Sequence, residues 1–154
     1  VPLDLGGQPV DHGFMNNFSV SVDIAGAGNN NDAGAILLDY RDTGTFLMVR
    51  WDDPNGAYNR FGANGSVDLI RCVNTQCDML DSTYGGVPAA PAGVFAEFRA
   101  EIRGPDINVY IDGNPTLSFT TNSAGGDLGP GVVAIYAFDT DAGVDMDNFR
   151  ITQP

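Results

Sequence analysis

Aspartate is the residue type here best placed to do chemistry, and it gathers in two stretches. One comprises Asn29, Asn31 and Asp32, with Asp52 and Asp53 some twenty residues on. The other is the run Asp139, Asp141, Asp145 and Asp147. Short carboxylates and amide oxygens in turn-rich loops are the usual donors to a hard cation, so calcium is the expected cofactor. Asp4 or Asp11 could close the second group. Four acids this close repel one another unless a cation or open solvent separates them, so a simply solvated cluster is the competing reading. The spacing does not match the twelve-residue EF-hand loop, which ends in glutamate.

A second chemistry is recognition of a sugar. Sugar rings dock on aromatic faces while fixed polar groups read their hydroxyls. Trp51, Tyr58 and Tyr84 are the candidate faces, with Arg60 and Arg50, Asp52, Asp53 and Asn55 nearby in sequence. Trp51 ends an apolar stretch, so filling the core is its alternative role. Tyr58 and Tyr84 fall in loops.

Catalysis is poorly provided for. The only glutamates are Glu97 and Glu101. On one strand they would stand roughly 13 Å apart at about 3.3 Å per residue. Glycoside hydrolysis needs two carboxylates roughly 5–10 Å apart. His12 is the only histidine and lies in a polar N-terminal segment. The expectation is therefore a protein that is not an enzyme, with a polysaccharide hydrolase or lyase as the catalytic alternative.

The charge narrows the partners. Among 154 residues there are 20 acidic and 7 basic ones, a net charge of -13, and no lysine. Phosphate contacts need a basic patch, so nucleic acid is excluded as an expected partner, and an anionic membrane surface with it. No apolar run is long enough to cross a bilayer as a helix. Cys72 and Cys77 are too close together, with no histidine beside them, for a zinc site, and read as a small disulfide loop. A disulfide favours an extracytoplasmic compartment. With Val1 in place of a starting methionine, the chain reads as a processed or excised secreted domain. Asn17 and Asn64 head Asn-x-Ser sequons.

The elements that must position these residues are strands. Phe18, Val20, Val22 and Ile24 alternate with polar neighbours. Ile36, Leu38 and Tyr40 form one face of the next strand. Arg41 to Gly44 is a turn, and Thr45 to Trp51 is apolar on both faces, as in a strand covered on both sides. Val67 to Cys72 is a short strand, and residues 73 to 93 read as a long irregular region. Val94 to Arg103 alternates Ala96, Phe98, Ala100 and Ile102 inward against Glu97, Arg99, Glu101 and Arg103 outward. Ile107 to Ile111 returns through Gly104-Pro105, and Asp112-Gly113 marks a hairpin into Leu117 and Phe119. Val132 to Phe138 is strongly apolar. In the last strand Val144 and Met146 have one parity and Phe149 and Ile151 the other, a conflict that a β-bulge near Asp147-Asn148 resolves. About nine strands and no amphipathic helix predict one all-β domain over 1–154, an antiparallel two-sheet sandwich, with residues 1–17 as an arm.

Two stretches carry a resemblance. Asn31 to Trp51 (N-D-A-G-x5-Y-x-D-x3-F-x2-V-x-W) resembles the core hairpin of the lectin-like domain at the C-terminus of thrombospondins. Glu101 to Asn114 (E-I-R-G-x5-Y-I-D-G-N), Gly125 to Gly129 and Asp147 to Ile151 (D-N-F-R-I) are similar to the closing half of concanavalin A-like and laminin G-like jelly rolls. Together they cover a little under a third of the chain. The resemblance implies a jelly roll, and a calcium site at the acids before Ala33-Gly34, where here only Asp32 keeps a charge. That fold hosts lectins, adhesive modules, hydrolases and lyases, so it specifies function poorly. Residues 52 to 93 depart from the thrombospondin pattern. The sequence thus predicts a secreted, calcium-assisted domain binding a glycan or another cell-surface ligand. A self-assembling brick of a surface layer, appendage or filament is the structural alternative, in which the arm would add to a neighbour's sheet.

Overall fold

The computed structural model describes residues 17–26, 33–52, 64–120, 132–138 and 144–153. Ten strands run through them: β1 (Asn17–Ala25), β2 (Ala33–Asp42), β3 (Thr45–Asp52), β4 (Ser66–Val73), β5 (Gln76–Ser82), β6 (Ala96–Arg103), β7 (Asp106–Ile111), β8 (Asn114–Thr120), β9 (Val132–Phe138) and β10 (Asp145–Thr152). They form two five-stranded sheets, ordered β10-β1-β6-β7-β8 and β5-β4-β3-β2-β9. Every strand pair is antiparallel. There is no helix among the described residues. The expected all-β, antiparallel, two-sheet sandwich is what the chain adopts.

Alternation explains the first sheet. In β6 the inward set Ala96, Phe98, Ala100 and Ile102 is buried while Glu97, Arg99 and Glu101 are half-buried on the other side. β1 and β7 repeat the pattern with Val20, Val22, Ile24 and Ile107, Val109, Ile111. These side chains meet Ile36, Leu38, Leu47, Val49, Val67 and Leu69 from the second sheet in one core. Trp51 of β3 and Phe98 of β6 join the layers with ring centroids 5.8 Å apart.

The second sheet is buried on part of its outer face as well. Ala35, Leu37, Met48, Ile70, Cys72 and Ala134 form a second apolar cluster there, with Tyr40 and Phe46 packed against it. This is why β3 is apolar on both faces, and it places the β2-β3 hairpin at the middle of its sheet. Tyr40 corrects the sequence reading. It packs with Phe46 and not on the face of Ile36 and Leu38, because the β2-β3 register slips between Leu37 and Asp39. A slip of one residue moves the following side chain to the other face.

Residues 76–82 are a second correction. The region read as irregular begins with strand β5, paired to β4 across a two-residue turn at Asn74 and Thr75. Both turn residues have positive φ (51° and 70°), the backbone that joins twisted strands in the tightest hairpins. β5 lies at a sheet edge and is mostly exposed, so no apolar alternation announces it. The rest of the loop straps the end of the sandwich. Val87 is buried in the core, its amide donates to the carbonyl of Gly65, and the carbonyl of Pro88 accepts from the indole of Trp51 at 2.9 Å.

The expected bulge in the last strand is present. Between Ser21 and Asp23 the β1-β10 register advances from Arg150 to Asp147, three residues against two. Asn148 adopts φ 53°, and its side-chain amide donates to Asp23 Oδ2 at 2.7 Å. The shift lets Val144, Met146, Phe149 and Ile151 all pack against the same core.

Candidate functional site

The outer face of the β10-β1-β6-β7-β8 sheet is polar throughout, and the strand register orders it in rows. One row runs Thr152, Ser19, Glu101, Asn108 and Ser118. The next starts Arg150, Ser21, Arg99 and Tyr110. β1 contributes only the small side chains Ser19 and Ser21 between the long ones of β6 and β10. Strands two apart are separated by roughly 10 Å, so this leaves a trough wide enough for a sugar ring. A groove of about 480 Å³ lies there, lined by Ser19, Ser21, Glu97, Arg99, Glu101, Arg103, Arg150, Thr152 and Gln153, with Phe18 and Ile102 at its edge.

The two halves of the face differ in how their polar groups are used. On β7 and β8 they satisfy one another. Ser118 donates to Asn108 Oδ1 and Thr120 to Asp106 Oδ1, each at 2.7 Å. On the β6 wall, Arg99 is held between Glu101, which accepts from Nη1, and Glu97 at 3.6 Å. Its guanidinium also lies 4.3 Å from the centroid of the Tyr110 ring. Arg103 Nη2 lies 3.5 Å from Glu101 Oε2. Ser19, Ser21 and Thr152 are different, since among the described residues their hydroxyls make no side-chain hydrogen bond. The trough therefore has a rigid wall of preset charges and a floor of unengaged hydroxyls.

The residues expected at a ligand site are not brought together here. Trp51 is 1% exposed, packed on Phe98 and bonded to Pro88, so it offers no face to a ligand. Its position at the end of a strand covered on both sides places it in the core. Tyr84 is exposed on the turn after β5, with φ 49°. It adjoins a second depression, about 550 Å³, lined by Asp81 to Thr83, Gly86 to Pro88 and Asn114 to Ser118. Tyr58 and Arg60 lie outside the described residues.

Of the expected metal ligands, Asn29, Asn31, Asp32, Asp53, Asp139 and Asp141 also lie outside the described residues. Asp52 is buried on the outer face of the second sheet, its Oδ2 3.3 Å from Arg50 Nη2. Arg50 Nη2 also donates to Asp68 Oδ2 at 2.6 Å, and Ser82 donates to Asp68 Oδ1 at 2.6 Å. Sequence reasoning missed Asp68. The signal available was its place opposite Arg50 on the neighbouring strand, which only the register reveals. Asp145 and Asp147 are exposed on β10, and Asp147 Oδ1 accepts from the amide of Asn148. Among the described residues no group of three or more His, Cys, Asp or Glu is placed to hold a metal. Cys72 and Cys77 are disulfide-bonded, as expected, and sit directly opposite each other on β4 and β5. The sequon asparagines Asn17 and Asn64 are both exposed.

No family model and no curated sequence matches the chain. Solved structures do. The carbohydrate-binding module CBM66 from Bacillus subtilis superposes with a TM-score of 0.64 at 15% identity, covering 88% of this chain and 74% of that one. Sheep galectin-11, solved in complex with glycerol, gives 0.63 at 10% identity over 94% of this chain and 95% of that one. A xylan β-1,4-xylosidase from Bacillus halodurans gives 0.56 at 15% identity, matching 89% of this chain but 28% of the enzyme. These likenesses support the lectin-like sandwich and do not extend to the thrombospondin link. At such identities they establish the fold alone, and the chain is similar in architecture to a carbohydrate-binding module and a galectin.

Proposed function

We propose that this protein is a secreted, non-catalytic domain that binds a glycan in the groove between β10 and β6. The observation that carries this reading is the contrast within one sheet face. The β7-β8 half is closed by its own hydrogen bonds, whereas the serine-floored trough keeps hydroxyls and charged groups in fixed positions on strands. Recognition of sugar hydroxyls needs preset polar partners of this kind. The likeness to a carbohydrate-binding module and a galectin supports it. Non-catalysis is supported by the carboxylates: Glu97 and Glu101 stand on one strand and both are engaged by Arg99. Secretion rests on the disulfide.

A glycan array compared between wild type and Ser21→Tyr tests the site. Filling the trough floor should abolish the wild-type signal while leaving the melting midpoint in place. An array without signal, or an unchanged signal from the variant, overturns the reading. Calcium is carried in the same proposal at the run of acids that includes Asp145 and Asp147, both on β10. A native-state ligand raises stability, so the midpoint should rise in calcium and fall in chelator, and equal midpoints remove the ion from the account.

A further inference from the structure

We propose that the groove selects an acidic glycan, one whose sugar carries a carboxylate or a sulfate, and that Arg150 is the residue that holds the anionic group. This rests on the groove being the glycan site. The chain is strongly acidic, yet three of its seven basic residues, Arg99, Arg103 and Arg150, line this one trough. Against them stand Glu97 and Glu101 alone among the lining residues, so the trough carries a net positive charge inside a negative molecule. Screening makes the local count the one that matters. The Debye length at physiological salt is about 8 Å, so an anion in the trough responds to its walls and to Asp23 beside them, and little to the aspartates beyond.

The arginines are not equivalent. Arg99 is pinned by two glutamates and a tyrosine ring, and Arg103 lies beside Glu101. Arg150 stands on the opposite wall, exposed, and makes no ion pair among the described residues. Its neighbour across the register is Ser21, whose small side chain leaves room beside Arg150 in the groove that both line. The nearest acid along β1, Asp23, accepts from Asn148. A guanidinium presents a planar fork of donors that matches carboxylate or sulfate oxygens two at a time. The bulge at Asn148 is what turns Arg150 outward, since in an unbroken strand Arg150 would share the core-facing parity of Met146. The same register shift that completes the core therefore delivers a cation to the groove.

Calorimetric titration of the full chain with three probes tests this: an oligogalacturonate, a sulfated galactan oligosaccharide and a neutral galacto-oligosaccharide. An acidic probe should bind roughly tenfold or more tighter than the neutral one, as expected for a charge-assisted pair. The advantage should shrink as salt rises, and whichever acidic probe binds tighter identifies carboxylate or sulfate as the partner. Arg150→Ala should remove the advantage and Arg150→Glu should reverse it, with the melting midpoint unchanged. Neutral and acidic probes binding alike, with Ser21→Tyr abolishing both, overturns the acidic selectivity and leaves the groove as the site. Ser21→Tyr leaving acidic binding intact overturns the groove itself. Arg150→Ala leaving the advantage intact overturns the role of Arg150.

Discussion

Replacing Asn148 by valine probes the point on which both the core and the groove depend. Asn148 holds φ 53°, a backbone region that asparagine tolerates and a β-branched residue does not. Moving a non-glycine residue into the left-handed region costs about 1–2 kcal/mol. The variant also loses the bond from the side-chain amide to Asp23 Oδ2, 2.7 Å long at an exposed site and worth about 0.5–1.5 kcal/mol. Together these destabilise Asn148→Val by about 2–3 kcal/mol. The strand cannot escape by straightening, because that would turn either Phe149 and Ile151 or Met146 out of the core. For a chain of this size the loss lowers the melting midpoint by roughly 5–10 °C. Asn148→Gly is the control. It keeps the backbone conformation and loses only the hydrogen bond, so it should fall by about 1 kcal/mol. Thermal and urea unfolding of the three proteins separate the two contributions. If valine and glycine variants melt within about 1 °C of each other, the backbone strain argued here is absent and the bulge is not what orients β10.

Other perturbations have definite signs. Asp68→Ala should cost about 1–3 kcal/mol in urea unfolding, because Asp52 still neutralises the buried Arg50 while the donors of Arg50 and Ser82 that bond Asp68 lose their acceptor. Cys72→Ser with Cys77→Ser opens a six-residue ring and should cost about 2 kcal/mol, read as a lower midpoint that matches the reduced wild type. Thr75→Gly should stabilise by about 1 kcal/mol, since a β-branched residue sits at φ 70° in the hairpin turn where glycine is unstrained. Gly65→Ala should destabilise by about 1–3 kcal/mol, because its Cβ would lie 2.8 Å from the Pro88 carbonyl and 2.9 Å from that of Asp52, and backbone cannot step aside as a side-chain tip can.

Much of the architecture was legible from residue order. Strict alternation marked β1 and β6, Asp112-Gly113 marked the β7-β8 turn, where φ is 47° and 75°, and the parity conflict between Met146 and Phe149 marked the bulge. These are local signals: each depends on residues a few positions apart, whose side chains must share or avoid one buried face. What the order of residues left open is whatever depends on pairing between distant strands. β5 went unseen because an exposed edge strand has no buried face to print a pattern. The slip after Leu37 moved Tyr40, and the strap at Pro88 enclosed Trp51. The groove is the plainest case. Ser21, Arg99 and Arg150 share a row only because β1 pairs with β6 on one side and β10 on the other. That register is set by which apolar side chains fill the space between the sheets, a property of the packed whole that no stretch of the chain carries alone.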